Sequence, residues 1–210
     1  MRSATAPGSG FPAAGVVVPV RGFLGGKVRL GGLLGPAERA ALAERMADAV
    51  IAAAQPFPVA VVSGAPEVLR WASARHLDML GDPGSLDGSA AAGLRWAQNL
   101  GLTRVMVVHA DLPLARDLSP LARDGGRPVV AAVPCHRDDG TPVLSLPAGV
   151  EFSFAYGPGS FRRHAAEARR RGLAFRVVRD PALAHDVDRP EDLAGLELPA
   201  ERALARACGA

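Results

Sequence analysis

Residues 104–110 read RVMVVHA and run straight into Asp111. Four aliphatic side chains in succession, bounded by charge, fit a strand buried on both faces, the kind found in parallel sheets sandwiched by helices. Residues 15–20 (GVVVPV) and 59–63 (VAVVS) repeat the pattern, and a shorter run falls at 77–80. Stretches of helical spacing separate them at 36–54, 66–75 and about 89–100, the first two opened by proline. Downstream, 128–133, 143–146 and 151–154 are short strand candidates joined by turn chemistry, an antiparallel excursion. A helix at 160–171 and a strand at 174–178 follow. The expected fold is α/β: a single mixed, mostly parallel sheet with helices on both faces.

At 210 residues the chain suits one domain, expected over 15–198, with 1–14 a loose leader and 199–210 a peripheral tail. The composition, 49% hydrophobic and 21% charged, builds a core and is unlike that of disordered chains. A net charge of +3 gives no argument for nucleic acid as a partner. No run reaches the roughly 18 to 20 apolar residues of a membrane span. Cys135 and Cys208 support neither a disulfide framework nor a zinc site, so a reducing, cytoplasmic setting is expected. Every basic residue except Lys27 is arginine, which draws attention to where that lysine stands.

Lys27 stands in the glycine-rich stretch after the first strand, VPVRGFLGGKVRL, with Arg21 and Arg29 beside it. Backbone N–H groups and cations there suit phosphates, though the spacing matches neither a dinucleotide fingerprint nor a P-loop, and a solvated surface loop is an equal reading. Asp111, just past a central strand, suits a hard cation such as Mg2+ or, alternatively, the N-cap of a helix at Pro113. Asp186 and Asp188 bracket Val187, so an extended backbone puts both carboxylates on one face; capping of a helix near Pro190 is the competing role. Residues 156–160 (YGPGS) open a helix with Ser160 as the expected N-cap and an anion-friendly end. His164, one turn in, reads as structural. Neither a Ser-His-Asp order nor a nucleophile elbow is present, which sets hydrolase readings aside.

Taken in order, VPVRGFLGGKVRL, GDPGSLDGSA, VVHADLPL, DDGTPVLSL, FAYGPGSFRRH and DVDRPEDL resemble the guanylyltransferases that prepare the side-chain precursor of the deazaflavin coenzyme F-420, over residues 15–196. The resemblance implies a glycosyltransferase-A-like nucleotidyltransferase fold with a Rossmann-like nucleotide half. It also implies a reaction in which GTP is joined to phosphoenolpyruvate or 2-phospho-L-lactate with release of pyrophosphate. On it, Arg21, Lys27, Arg29, Gly84 and Asp87 bind the nucleotide, Lys27 and Asp111 are catalytic, and Asp111, Asp186 and Asp188 hold Mg2+. Thr141, Gly157 and Ser160 hold the phosphorylated acid. The partners implied are GTP and that acid, with a homodimer left open.

Three places differ from the family pattern. Asp87 replaces an asparagine, the loop before Thr141 is shortened and gains Pro142, and Val28 replaces a hydroxyl residue. Two other readings stand beside this one: a molybdenum-cofactor or sugar-phosphate nucleotidyltransferase of the same fold, whose Arg-Met-Gly loop is absent, and a non-catalytic nucleotide-binding paralogue.

Overall fold

Strand β1 (Ala14–Pro19) divides its side chains between two apolar layers: Val16 and Val18 enter one and Val17 the other, all fully buried. The computed structural model describes residues 13–123, 128–137, 139–194 and 196. The expected leader therefore lies outside the described residues except for Ala13 and Ala14, and Ala14 already belongs to β1. The expected tail at 199–210 and Cys208 lie outside them entirely.

Helices α1 (Pro36–Ala53) and α2 (Pro66–Ala74) flank β2 (Val59–Val62) in the chain, and β3 (Asp78–Leu80) precedes α3 (Leu86–Asn99). Next come β4 (Arg104–Val108), the one-turn α4 (Ser119–Ala122), β5 (Val129–Val133), β6 (Val143–Pro147), α5 (Ser160–Arg170), β7 (Ala174–Val177) and the one-turn α6 (Pro181–Ala184). The sheet order is β3-β2-β1-β4-β6-β5-β7. All neighbours are parallel except β6, which runs antiparallel to both β4 and β5. Val50 and Trp71 of α1 and α2 cover one face; Leu94 and Ala97 of α3 and Ala168 of α5 cover the other. Mixed sheet and two-faced cover both match expectation.

Gly93 shows how closely α3 lies on the sheet: a Cβ there would sit 2.5 Å from both methyl carbons of Val17. Three local expectations need correction. Residues 151–154 form no strand, because Ser153 and Ala155 donate their N–H groups to Glu167 and His164 of α5 rather than to a neighbouring strand. No helix begins at Pro113; Leu112 and Leu118 are buried instead through a turn, which removes the capping role offered for Asp111. Helix α3 begins at Leu86, three residues earlier than its apolar spacing suggests, because the Ser85 hydroxyl caps it by accepting from Gly88 N–H at 3.1 Å.

The strand order carries the functional consequence. From β1 the chain moves outward to β2 and β3, then returns to the opposite side of β1 as β4. Ligands of open α/β sheets bind at such a reversal, beyond the carboxyl ends of the strands.

Candidate active site

The loop after β1 is fastened from two sides. Glu67 of α2 accepts from the N–H groups of Phe23 and Leu24 at 3.2 and 3.4 Å, and the Phe23 ring meets Trp71 edge-on at 5.4 Å. Arg39 of α1 donates to the carbonyls of Gly26 and Leu34 at 3.3 and 2.8 Å. Held so, Lys27 adopts a left-handed backbone with φ 51°, which costs a non-glycine residue about 1–2 kcal/mol. Its ammonium turns inward, 2.6 Å from Asp111 Oδ2 and 3.2 Å from Asp188 Oδ1. Arg21 lines the same cavity, and Arg29 approaches Asp188 at 3.9 Å from an exposed position.

Asp111 and the 186–188 segment are joined by backbone. Val187 N–H donates to the Asp111 carbonyl at 3.1 Å, and the Val187 side chain is fully buried with Leu30, Leu42 and Met46. Asp186 and Asp188 accordingly both line the cavity, as alternation requires. Capping falls to another residue: Asp192 Oδ2 accepts from the N–H groups of Asp188 and Arg189 at 2.8 and 2.7 Å. The two cavity carboxylates are thus released from the role that competed for them.

Charge is finely balanced here. Burial pulls the Lys27 ammonium down, but the Asp111 and Asp188 carboxylates outweigh it and hold its pKa above the usual value. Burial likewise pushes Asp111 up, and Lys27 with His109 brings it below the ordinary carboxylate range. Asp186 moves the other way, raised by burial and by the charges of Asp111 and Asp188. Asp111 Oδ1 and Asp186 Oδ1 are buried with no hydrogen-bond partner, although His136 Nδ1 and Arg137 Nη1 stand 3.1 and 3.7 Å from the Asp186 oxygen. Unpartnered buried carboxylate oxygens are expensive, and a cation would satisfy them. Among the described residues no three His, Cys, Asp or Glu side chains make a ready-built metal cluster. Mg2+ does not ask for one, since it takes one or two carboxylates and completes its shell with water and substrate phosphates. Asp111, Asp186 and Asp188 therefore fit it.

The cavity encloses about 610 Å3 and extends from this charged end past Val62 to Asp82, Ser85 and Ser89. Those three and His109 are cavity residues to which the sequence reading assigned no role. Asp82 was findable, because it follows β3 as Asp111 follows β4. Asp87 and Gly84 do not line the cavity. Asp87 Oδ1 accepts from Tyr156 N–H at 2.6 Å, and Gly84, at φ +85°, donates to Asp82 Oδ1 at 2.8 Å.

Thr141, Gly157 and Ser160 form a second group, apart from the cavity lining. Thr141 and Ser160 are each 1% exposed, their hydroxyl oxygens 3.0 Å apart, while Gly157 is exposed at φ +99°. Behind them lies His164, fully buried. Its Nε2 accepts from Ala155 N–H at 3.1 Å, so its ring hydrogen resides on Nδ1, 3.1 Å from Thr141 Oγ1. Ser160 is not the N-cap of α5; Gly159 is, at φ 73°. Asp139 occupies the helix start, its Oδ1 taking Gly159 N–H at 2.6 Å and its carbonyl Phe161 N–H at 3.3 Å. Arg163 is spent on the carbonyls of Ala155, Tyr156 and Pro158.

Residues 14–206 match the family described as guanylyl transferase, CofC-like. The chain belongs to that family. Among its CofC-like relatives, a phosphoenolpyruvate guanylyltransferase of Sphaerobacter thermophilus is 37% identical over 84% of this chain and 89% of its own length. A 3-phospho-D-glycerate guanylyltransferase of Phenylobacterium zucineum is 34% identical over 85% and 87%. A 2-phospho-L-lactate guanylyltransferase of Methanothermobacter thermautotrophicus is 31% identical over 90% and 86%. The CofC-like fold is that of nucleotidyltransferases: a solved nucleotidyl transferase from Methanothermobacter superposes with a TM-score of 0.64 at 18% identity, covering 95% of this chain and all of its own. Among the described residues no helix is long and apolar enough to cross a membrane.

Proposed function

We propose that the protein is a guanylyltransferase that joins GTP to phosphoenolpyruvate, releasing pyrophosphate and yielding the activated side-chain precursor for coenzyme F-420. The observation that carries this reading is Lys27 bridging Asp111 and Asp188 at the β1/β4 reversal, with an Asp111 oxygen left unpartnered. Phosphoenolpyruvate is the acceptor named for relatives at 37% identity, against 34% for the 3-phospho-D-glycerate enzyme and 31% for the 2-phospho-L-lactate enzyme. That order favours phosphoenolpyruvate over 2-phospho-L-lactate and 3-phospho-D-glycerate.

In this reaction an oxygen of the acceptor's phosphate attacks the α-phosphorus of GTP, and the bond from that phosphorus to the bridging oxygen of the β-phosphate breaks. The nucleophile is already an anion, so no general base is required; the protein supplies position and positive charge. Arg21, Lys27 and Arg29 bind the triphosphate, and Lys27 swings from its carboxylates to the developing charge when phosphates arrive. Asp111, Asp186 and Asp188 would hold Mg2+, which when bound would supply neutralisation of phosphate charge. Gly84 and Asp87 stand behind the end of the site that receives the base, Gly84 donating to Asp82 Oδ1 and Asp87 accepting from Tyr156 N–H, so neither lines the cavity. The acid is assigned to the group of Thr141, Gly157 and Ser160, where Gly157 is the exposed contact and the buried hydroxyls of Thr141 and Ser160 stand behind it. The site is expected to work in the cytoplasm.

Pyrophosphate release measured across GTP, ATP and CTP against phosphoenolpyruvate, 2-phospho-L-lactate and 3-phospho-D-glycerate tests the reading. Magnesium-dependent release with GTP and phosphoenolpyruvate is the expected result. No release from GTP with any of the three acids would overturn it.

A further inference from the structure

The residues at the carboxyl edge of the sheet come in a fixed spatial order. Asp111 follows β4, Arg21 and Lys27 follow β1, Val62 ends β2, and Asp82 follows β3; all line one cavity. Strands lie about 4.8 Å apart, so β4 to β3 spans roughly 14 Å. That is the reach of a nucleotide lying across the strand ends with its α-phosphate at Asp111. Its base then falls over the ends of β2 and β3, where the cavity is bounded by Val62, Leu86 and Asp82. Gly64, two residues beyond the end of β2, lies beside Asp82: a Cβ there would sit 3.6 Å from the Cβ of Asp82, an ordinary van der Waals distance.

Few polar groups at this end are available to read a base. The Ser85 hydroxyl accepts from Gly88 N–H at 3.1 Å, and the Ser89 hydroxyl donates to the Ser85 carbonyl at 2.9 Å, so both are partly engaged by the start of α3 and neither offers a planar pair of acceptors. Asp87 faces away, its Oδ1 committed to Tyr156 N–H at 2.6 Å. Asp82 remains. Its Oδ1 is oriented by Gly84 N–H at 2.8 Å, and its Oδ2 has no partner among the described residues. An ionised carboxylate only accepts hydrogen bonds, up to two on each oxygen. Guanine alone among the common bases offers two adjacent donors, N1–H and the N2 amino group, to one planar acceptor pair. Adenine and cytosine present a ring-nitrogen acceptor beside their amino group, which a carboxylate repels.

We propose that Asp82 is the specificity-determining residue for the base, accepting from the N1–H and N2–H of a guanine nucleotide, and that Asp87 instead anchors the Tyr156 loop. The proposal rests on the guanylyltransferase reading for its ligand and goes beyond it in naming the reader.

Asp82→Asn is the discriminating variant, since asparagine keeps the acceptor that holds the Gly84 turn while turning an amide donor toward the base. GTP and ITP, which lacks the N2 amino group, are titrated into the parent protein, Asp82→Asn and Asp87→Asn with Mg2+ present. Loss of a charge-assisted contact predicts a GTP dissociation constant raised roughly 10- to 100-fold in Asp82→Asn, with ITP affected less, so that the GTP-over-ITP preference narrows. The denaturant midpoint of that variant stays at the parent value. An unchanged GTP-over-ITP ratio in Asp82→Asn, or a ratio altered by Asp87→Asn alone, overturns the assignment. Pyrophosphate release by the parent, measured alongside, keeps the two readings separate: turnover with an unaltered ratio in Asp82→Asn sinks the base reader and leaves the reaction standing. Guanine-selective binding that depends on Asp82 without turnover does the reverse. A parent that binds no GTP overturns both.

Discussion

His164 is a buried imidazole whose two nitrogens are both used, Nε2 as an acceptor from Ala155 N–H and Nδ1 toward Thr141. Burial, with Arg163 and His109 nearby, lowers its pKa from 6.5 to about 4. The folded state therefore keeps it neutral where the unfolded chain takes up a proton. Between pH 6.5 and about 4 the unfolded state binds more protons, so this residue's contribution is fully present above 6.5 and is lost as pH falls toward 4. Urea midpoints at pH 7.5, 5.5 and 4.5 should show the parent weakening through that window. The midpoint of His164→Phe should be lower at pH 7.5 and flatter with pH; an equal slope in both proteins would remove His164 as the cause. The role itself was half visible in the sequence, where one turn into a helix suggests structure. The partner was not, because Thr141 lies 23 positions away and only the fold brings its hydroxyl to the ring. The cavity carboxylates were more legible, since each follows directly from its place at a strand end or from alternation along three residues.

Elements with unbroken apolar runs or clear helical spacing were readable to within a few residues, because burial on a sheet face or a helix stripe is encoded locally. Residues 151–154 misled for the same reason: Phe152 and Phe154 alternate like a strand, yet the backbone between them is satisfied by side chains of α5. Pattern reports which side chains are buried; it does not report who takes the N–H groups. Helix α3 carries a further element-scale requirement at Gly93, where the helix backbone rests against Val17. Gly93→Ala gains about 1 kcal/mol of intrinsic helix propensity. Against this, a Cβ at 2.5 Å from two methyl groups must push α3 off β1 or force Val17 from its rotamer, and overpacking of this kind costs about 1–3 kcal/mol. The expected outcome is a net loss of stability, seen as a fall of a few degrees in thermal midpoint by calorimetry. A midpoint equal to or above that of the parent would show that α3 can shift freely. Because α3 also begins at the cavity with Ser85, the same variant should weaken nucleotide binding if the helix tilts.

At the scale of the molecule, the site is assembled from the loop after β1, the end of β4 and the segment after α6, parts separated by 84 and 161 positions at the Lys27 contacts. The sheet order that brings them together was only partly legible. Parallel strands and helical cover follow from pattern, but the return of β4 beside β1 is a choice of topology that periodicity does not record. Such an assembly makes ligand binding a property of the whole fold. Lys27 compensates Asp111 and Asp188, and one Asp111 oxygen has no hydrogen-bond partner. On the proposed reading, phosphates would draw the cations away and Mg2+ would be held by the carboxylates. Anything that binds only the folded state stabilises it by about 2.7 kcal/mol at 100 times its dissociation constant. For a chain of this size each kcal/mol moves the midpoint by roughly 2–4 °C. Saturating GTP with Mg2+ should therefore raise the thermal midpoint by roughly 5–10 °C. GTP with a chelator should raise it much less, because without the metal the triphosphate meets three carboxylates with only Lys27 and two arginines to oppose them. Asp188→Asn should reduce the metal-dependent part of the shift. An equal shift with and without the metal would remove the carboxylates from nucleotide binding and return Asp111 and Asp188 to the single task of holding Lys27 in place.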